Sequence, residues 1–167
     1  MITWLSILSC LILIGIALFD FKDRSIPTLL IIIEGVAAGF VFYLLNINDY
    51  LLIVMLNLTI LITQLGILFI WLKFRKKDNN FFLDAIGWGD IWMLAIATLF
   101  FSPIYYVGFI IVVSFVSLIY GLIIKFILNT DEKYSLIPLA GIMAAGLFIV
   151  QCFNVGGKHF FDLNYVF

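Results

Sequence analysis

Two aspartates stand at the edges of apolar segments, and their type and placement point to acid–base chemistry. Asp20 closes the first apolar run of the chain, and Asp90 sits behind two glycines in Gly87-Trp88-Gly89-Asp90 at the mouth of a later one. An ionisable side chain at or near hydrocarbon is expensive, so it marks a functional site with a partner to be found. Two carboxylates facing one another do general acid and base work on an amide. One, ionised, deprotonates a water; the other, protonated, donates to the carbonyl oxygen and later to the leaving amine. Like charges held close cannot both ionise, so one shared proton is the natural resting state near neutral pH. This chemistry calls for no metal and no cofactor. The glycines let a substrate backbone approach the acid and permit main-chain angles that other residues resist.

The elements that carry these acids follow from composition. The chain has 167 residues, 65% hydrophobic and 11% charged, with a mean hydropathy of +1.25. That is far from the balance of a soluble globular domain and reads as an all-α integral membrane protein. Apolar runs of about 17 or more residues are candidate spans, and six can be drawn, from about Ile2 to Phe19, Ile26 to Leu45, Tyr50 to Leu72, Gly87 to Phe101, Ile104 to Leu128 and Leu136 to Phe153. Pro27 suits the first turn of the second helix, and Ser102-Pro103 supplies a stop after the fourth. No basic residue precedes the first run, which therefore does not read as a cleavable signal peptide. No linker or repeat divides residues 1–167, so a single transmembrane domain is expected.

Loop charge orients this bundle, because basic residues in short loops stay on the cytoplasmic side. Lys22 and Arg24 follow the first run, Lys73, Arg75, Lys76 and Lys77 the third, and Lys125 and Lys133 flank the end of the fifth, whereas the second and fourth loops have none. The alternation places both termini outside. It also puts Asp20 and Asp90 at similar depth on the cytoplasmic face. The net charge of −1 gives no argument for nucleic acid as a partner; the lipid bilayer is the expected surroundings.

At this point the chain resembles the type IV prepilin peptidases, intramembrane aspartic peptidases with a Gly-x-Gly-Asp motif. That family pairs an Asp six residues before Ile-Pro with an Asp in Gly-x-Gly-Asp at a later cytoplasmic helix end. Here Asp20 precedes Ile26-Pro27, and Gly87, Gly89 and Asp90 form the second motif. Asp84 falls where relatives often carry an acid, and Ile137-Pro138-Leu139-Ala140-Gly141 is similar to the family's C-terminal Pro-Gly-Pro region. The resemblance implies an aspartic endopeptidase of the cytoplasmic (inner) membrane with its active site facing the cytoplasm. Its catalytic residues would be Asp20 and Asp90. Its substrate would be a prepilin or pseudopilin, a short basic leader followed by a glycine and an apolar helix, cleaved after that glycine. The four-cysteine N-methyltransferase region of larger relatives has no counterpart here, which matches the short form. Thr28 stands where Asn usually follows Ile-Pro, and Trp92 stands where a Lys is usual.

The remaining polar residues receive other readings. Asp90 near a helix N-terminus is favoured as the anion by the dipole, and Asp20 near a C-terminus is not, so Asp90 is expected as the base and Asp20 as the acid. Glu34, about two turns into the second run, either lines a crevice near Asp20 or pairs with a hydroxyl or amide of a neighbouring helix. Asn57 and Gln64 share a face and read as interhelical hydrogen-bonding groups. Gly35 with Gly39, and Gly141 with Ala145, read as close-packing pairs. Cys10 and Cys152 read as packing residues and His159 as a surface histidine, so no metal site is expected. Two alternatives stand beside the peptidase reading. One is a small transporter or channel component with Asp20, Glu34 and Asp90 along an ion path; the other is a presenilin or signal-peptide-peptidase-like protease, whose relatives have about nine spans.

Overall fold

The computed structural model describes residues 2–45, 50–75, 87–128 and 137–155. They form six helices: α1 Ile2–Asp23, α2 Thr28–Leu45, α3 Tyr50–Arg75, α4 Trp88–Phe100, α5 Pro103–Leu128 and α6 Leu139–Val155. Helix is what so apolar a chain must adopt away from water, because each backbone N–H and C=O then finds its partner within the segment. Three stretches, Trp4–Asp23, Tyr50–Trp71 and Pro103–Ile124, are long and apolar enough to cross a membrane. Thr28–Val41, Trp88–Phe100 and Leu139–Phe153 are shorter apolar helices. The 13 residues of α4 reach only about 20 Å at the helical rise.

Four helices make the centre. α1 packs along α6 and α2, α2 along α4, and α4 along α6, which closes a ring; α3 lies outside against α4 and α5, and α5 against α6. The core is Leu13 and Ile16 of α1, Ala38 of α2, Met93, Ala97 and Phe100 of α4, and Ala140, Met143, Ala144 and Leu147 of α6. Ala38, Ala97, Ala140 and Ala144 in this core let backbones approach. α3 and α5 keep most of their apolar surface exposed, as suits helices facing lipid.

Asn57 serves α4 directly. Its Nδ2 donates to the backbone carbonyls of Thr98 at 2.8 Å and Phe101 at 2.6 Å, two of the acceptors a helix end leaves unpaired. The interhelical role expected of Asn57 is therefore a C-terminal cap on the helix that carries Asp90. Gly35 and Gly39 face α4, with Ile96 and Leu99 as neighbours at ordinary contact distance.

Several helix limits differ from the hydropathy boundaries. α1 continues through Asp20 to Asp23, so the acid lies inside the last turn rather than beyond it. α2 begins at Thr28 and α6 at Leu139. Pro27 and Pro138 thus sit immediately before their helices, where each carbonyl accepts the first helical bond, from Leu30 at 3.0 Å and from Ile142 at 3.0 Å.

Candidate active site

The turn after Asp20 is built by Arg24. α1 ends with Arg24 at φ 54°, in the left-handed region, and its N–H returns to the Asp20 carbonyl at 3.2 Å. This is a common helix stop whose left-handed position usually holds glycine. The chain then turns through Ser25 and Ile26 into Pro27. Asp20 is thereby held one turn above a sharp reversal, with its side chain buried.

The second motif opens α4. Gly87 is extended, with φ −63° and ψ 144°, and its carbonyl accepts from the N–H groups of Asp90 at 3.0 Å and Ile91 at 3.3 Å. None of its angles needs a glycine; the space does. A Cβ on Gly87 would lie 3.3 Å from Asp90 Oδ2, and one on Gly89 would lie 3.2 Å from Ile26 Cδ1. Gly89 therefore admits Ile26, and the Ile-Pro turn rests on the Gly-Trp-Gly-Asp turn.

The two acids meet on the start of α6. Ala140 N–H donates to Asp90 Oδ1 at 2.8 Å, and Gly141 N–H donates to Asp20 Oδ2 at 2.5 Å. These are consecutive amides, the second and third of a helix whose first four donors lack internal partners. A Ser, Thr, Asn or Asp before the helix would normally cap them; Pro138 has no such side chain. The other two are satisfied nearby, Leu139 N–H by Ile137 O at 2.9 Å and Ile142 N–H by Pro138 O at 3.0 Å. Asp20 and Asp90 thus cap α6 from two different helices. Gly141 admits Asp20: a Cβ there would be 3.0 Å from Oδ2.

The same geometry removes the ground for telling the acids apart by helix dipole. The positive end of α6 faces both carboxyl groups, which adds to the N-terminal position of Asp90 in α4 and offsets the C-terminal position of Asp20 in α1. The two carboxyl groups also interact electrostatically.

Both acids line a cleft of about 870 Å³, together with Gly87, Gly89, Ile26, Ile137 and Ala140. Pro27, between the lining residues Ile26 and Thr28, is not itself among them. Asp84, the remaining candidate, lies outside the described residues, as does His159. Glu34 lines no part of this cleft. It is fully buried and accepts a hydrogen bond from Ser9 Oγ of α1 at 2.7 Å, so the crevice placement gives way to the hydroxyl pairing. The reason is depth: Glu34 lies about one turn beyond Ile31, the last α2 residue lining the cleft, and there it meets Ser9 of α1.

Sequence reasoning did not assign a site role to Arg24, Ser114, Ser117 or Trp92, all of which line the cleft. The serines at 114 and 117 are three apart in an otherwise apolar helix. That is one helical face, and it was the only signal available for them. Among the described residues no three His, Cys, Asp or Glu side chains gather as a metal site, and Cys10 and Cys152 are free thiols. Comparison with protein-family models, with curated proteins and with solved structures finds no match for this chain.

Proposed function

We propose that this protein is an intramembrane aspartic endopeptidase of the prepilin peptidase type. It removes a basic leader from type IV prepilin or pseudopilin substrates at the cytoplasmic membrane boundary. The observation that carries the reading is the shared cap: Asp20 and Asp90, each from a separate motif, bind consecutive amides of α6 and so face one cleft. In that arrangement one carboxylate takes a proton from water as the water oxygen attacks the scissile carbonyl. The other carboxyl protonates the carbonyl oxygen; collapse of the tetrahedral intermediate then passes a proton to the departing nitrogen as the C–N bond breaks. The α6 amides hold one oxygen of each carboxyl in place, and the Gly87 backbone gives Asp90 a further hydrogen bond.

The three shorter helices would complete a six-span bundle with both termini outside, multi-pass in the inner membrane, with the cleft opening to the cytoplasm. A transporter is less well supported, because Glu34 is separated from the two aspartates and held by Ser9, which leaves no continuous line of acids. Co-expression with a prepilin substrate tests the reading. Leader removal should fall by about a thousandfold or more in Asp20→Asn and in Asp90→Asn, the scale of losing a general acid or base. Cleavage that survives either change would falsify it.

A further inference from the structure

We propose that Arg24 and Ser117 form a main-chain clamp, two donors that take backbone carbonyl oxygens of a locally unwound substrate segment and hold it against Asp20 and Asp90. The inference rests on the peptidase reading above and adds how the substrate is held. A peptide bond inside a helix has its carbonyl in the hydrogen-bond ladder, so the segment must leave the helix before water can attack. Carbonyls freed beside a hydrolytic site must be held in one geometry for attack, which fixed donors do and mobile water does not. The cleft must therefore supply donors.

The acids are committed to the water and the scissile carbonyl, and each already accepts from α6 through one oxygen, so the neighbouring carbonyls need other donors. Arg24 and Ser117 fit the need. Both line the cleft, and both carry a buried donor atom, Arg24 Nη1 and Ser117 Oγ, with no partner among the described residues. Ser117 is only 6% exposed. A helical serine usually returns its hydroxyl to a carbonyl three or four residues back, and this one does not. An unpaired buried donor is costly, and it marks a place where a partner belongs.

The backbone at Arg24 makes the same point independently. At φ 54° the turn would be served better by glycine, the residue that favours this conformation without strain. An arginine is therefore kept there against the preference of the backbone. Strain of this kind gathers at functional sites. From that position, one turn past Asp20, Arg24 lines the cleft and attracts the Asp20 carboxyl electrostatically, and a hydrogen bond from a charged donor to a carbonyl is a strong one. Main-chain carbonyls are common to every sequence, so the clamp sets where a substrate unwinds rather than which side chains it carries.

The test uses the full-length protein in detergent with a fluorescent peptide carrying a basic leader and an apolar helix. In an Asp20→Asn/Asp90→Asn background, Arg24→Gly should weaken peptide binding about tenfold, the scale of a lost charged hydrogen bond. In the active protein it should raise KM by a similar factor with a smaller change in kcat. Glycine suits the turn, so the melting temperature should hold or rise, which separates lost binding from lost folding. Ser117→Ala, which removes one hydroxyl, is the second variant and should raise KM severalfold. Unchanged binding in both variants would overturn the clamp, as would a fall in kcat at constant KM. If the aspartate variants lose cleavage while Arg24→Gly and Ser117→Ala keep it with unchanged KM, the clamp alone fails. If unmodified protein cleaves no such peptide, or either single aspartate variant still does, the peptidase reading fails and takes the clamp with it.

Discussion

Gly141 donates its amide to Asp20 Oδ2 at 2.5 Å, joining residues 121 apart in the chain. The bond closes α1 onto α6, and the neighbouring amide of Ala140 does the same for α4 through Asp90. The two acids proposed for catalysis are thus also the caps of a helix terminus. Any change that moves the start of α6 moves both acids together.

Gly141→Ala tests this coupling. The added Cβ would lie 3.0 Å from Asp20 Oδ2, 3.2 Å from Asp20 Cβ and 3.2 Å from Phe21 Cδ2, so the carboxyl must shift off the amide. Alanine is otherwise the better helix former by about 1 kcal/mol. Leader cleavage should fall at least tenfold, about the effect of displacing a catalytic group by a fraction of an ångström. Gly35→Ala is the contrast. Its nearest neighbour is Ile96 Cγ1 at 3.7 Å, and that variant should keep activity while its melting temperature in detergent holds or rises.

Gly89 and Ile26 give a rescue experiment. A Cβ at 89 would meet Ile26 Cδ1 at 3.2 Å, forcing the Ile-Pro turn away from Asp90. Gly89→Ala should therefore impair cleavage, and Ile26→Val, which deletes that methyl, should restore part of it in the double variant. Double-mutant analysis of cleavage rates is the measurement, since contacting residues are non-additive. Strict additivity would show that the two turns do not bear on one another.

Asn57 predicts a stability effect separate from the chemistry. Asn57→Ala leaves the carbonyls of Thr98 and Phe101 without their donor, which should cost about 1–3 kcal/mol for each buried acceptor left unmet. Thermal unfolding in detergent should register it. Thr59 is exposed and bonds only to Met55 O of its own helix, so Thr59→Ala should stay within about 0.5 kcal/mol of the unmodified protein.

Glu34 should prove structural. Glu34→Gln retains a carbonyl oxygen for the Ser9 hydroxyl, and leader cleavage should match that of the unmodified protein. Ser9→Ala is the harsher change, because Glu34 Oε2 already has no partner among the described residues, and removing the hydroxyl leaves the whole carboxyl group unsatisfied. A stability loss of about 1–3 kcal/mol is expected. Loss of cleavage in Glu34→Gln with an unchanged melting temperature would place Glu34 in the reaction.

Much of this site is legible in the chain itself. Asp20 and Asp90 stand out because carboxylates interrupt apolar runs at positions of the same depth, and Ile26-Pro27 and Gly87-Trp88-Gly89 announce turns beside them. Apolar run length likewise marks out the six helices, because hydrocarbon-facing backbone has no alternative to helix. What run length misses are the ends. Proline placement and the left-handed turn at Arg24 decide where α1 stops and where α2 and α6 begin, and neither is a matter of hydropathy.

Partnership was decided by tertiary structure alone. In a chain this apolar every face of a helix looks alike, so spacing names the polar residues without saying what they meet. Asn57 reads as a group seeking a neighbour; only packing makes it the cap of α4. Glu34 fits either a crevice or a hydroxyl until the packing of α2 on α1, one turn below the cleft, brings it to Ser9. The largest gap concerns Pro138-Leu139-Ala140-Gly141. Hydropathy starts that helix near Leu136; the structure starts it at Leu139 behind Pro138, which has no capping side chain, so two amides need acceptors. That the acceptors are Asp20 and Asp90, from helices far apart in the chain, follows from the α1–α2–α4–α6 ring, because only that packing brings both carboxyl groups to one helix end.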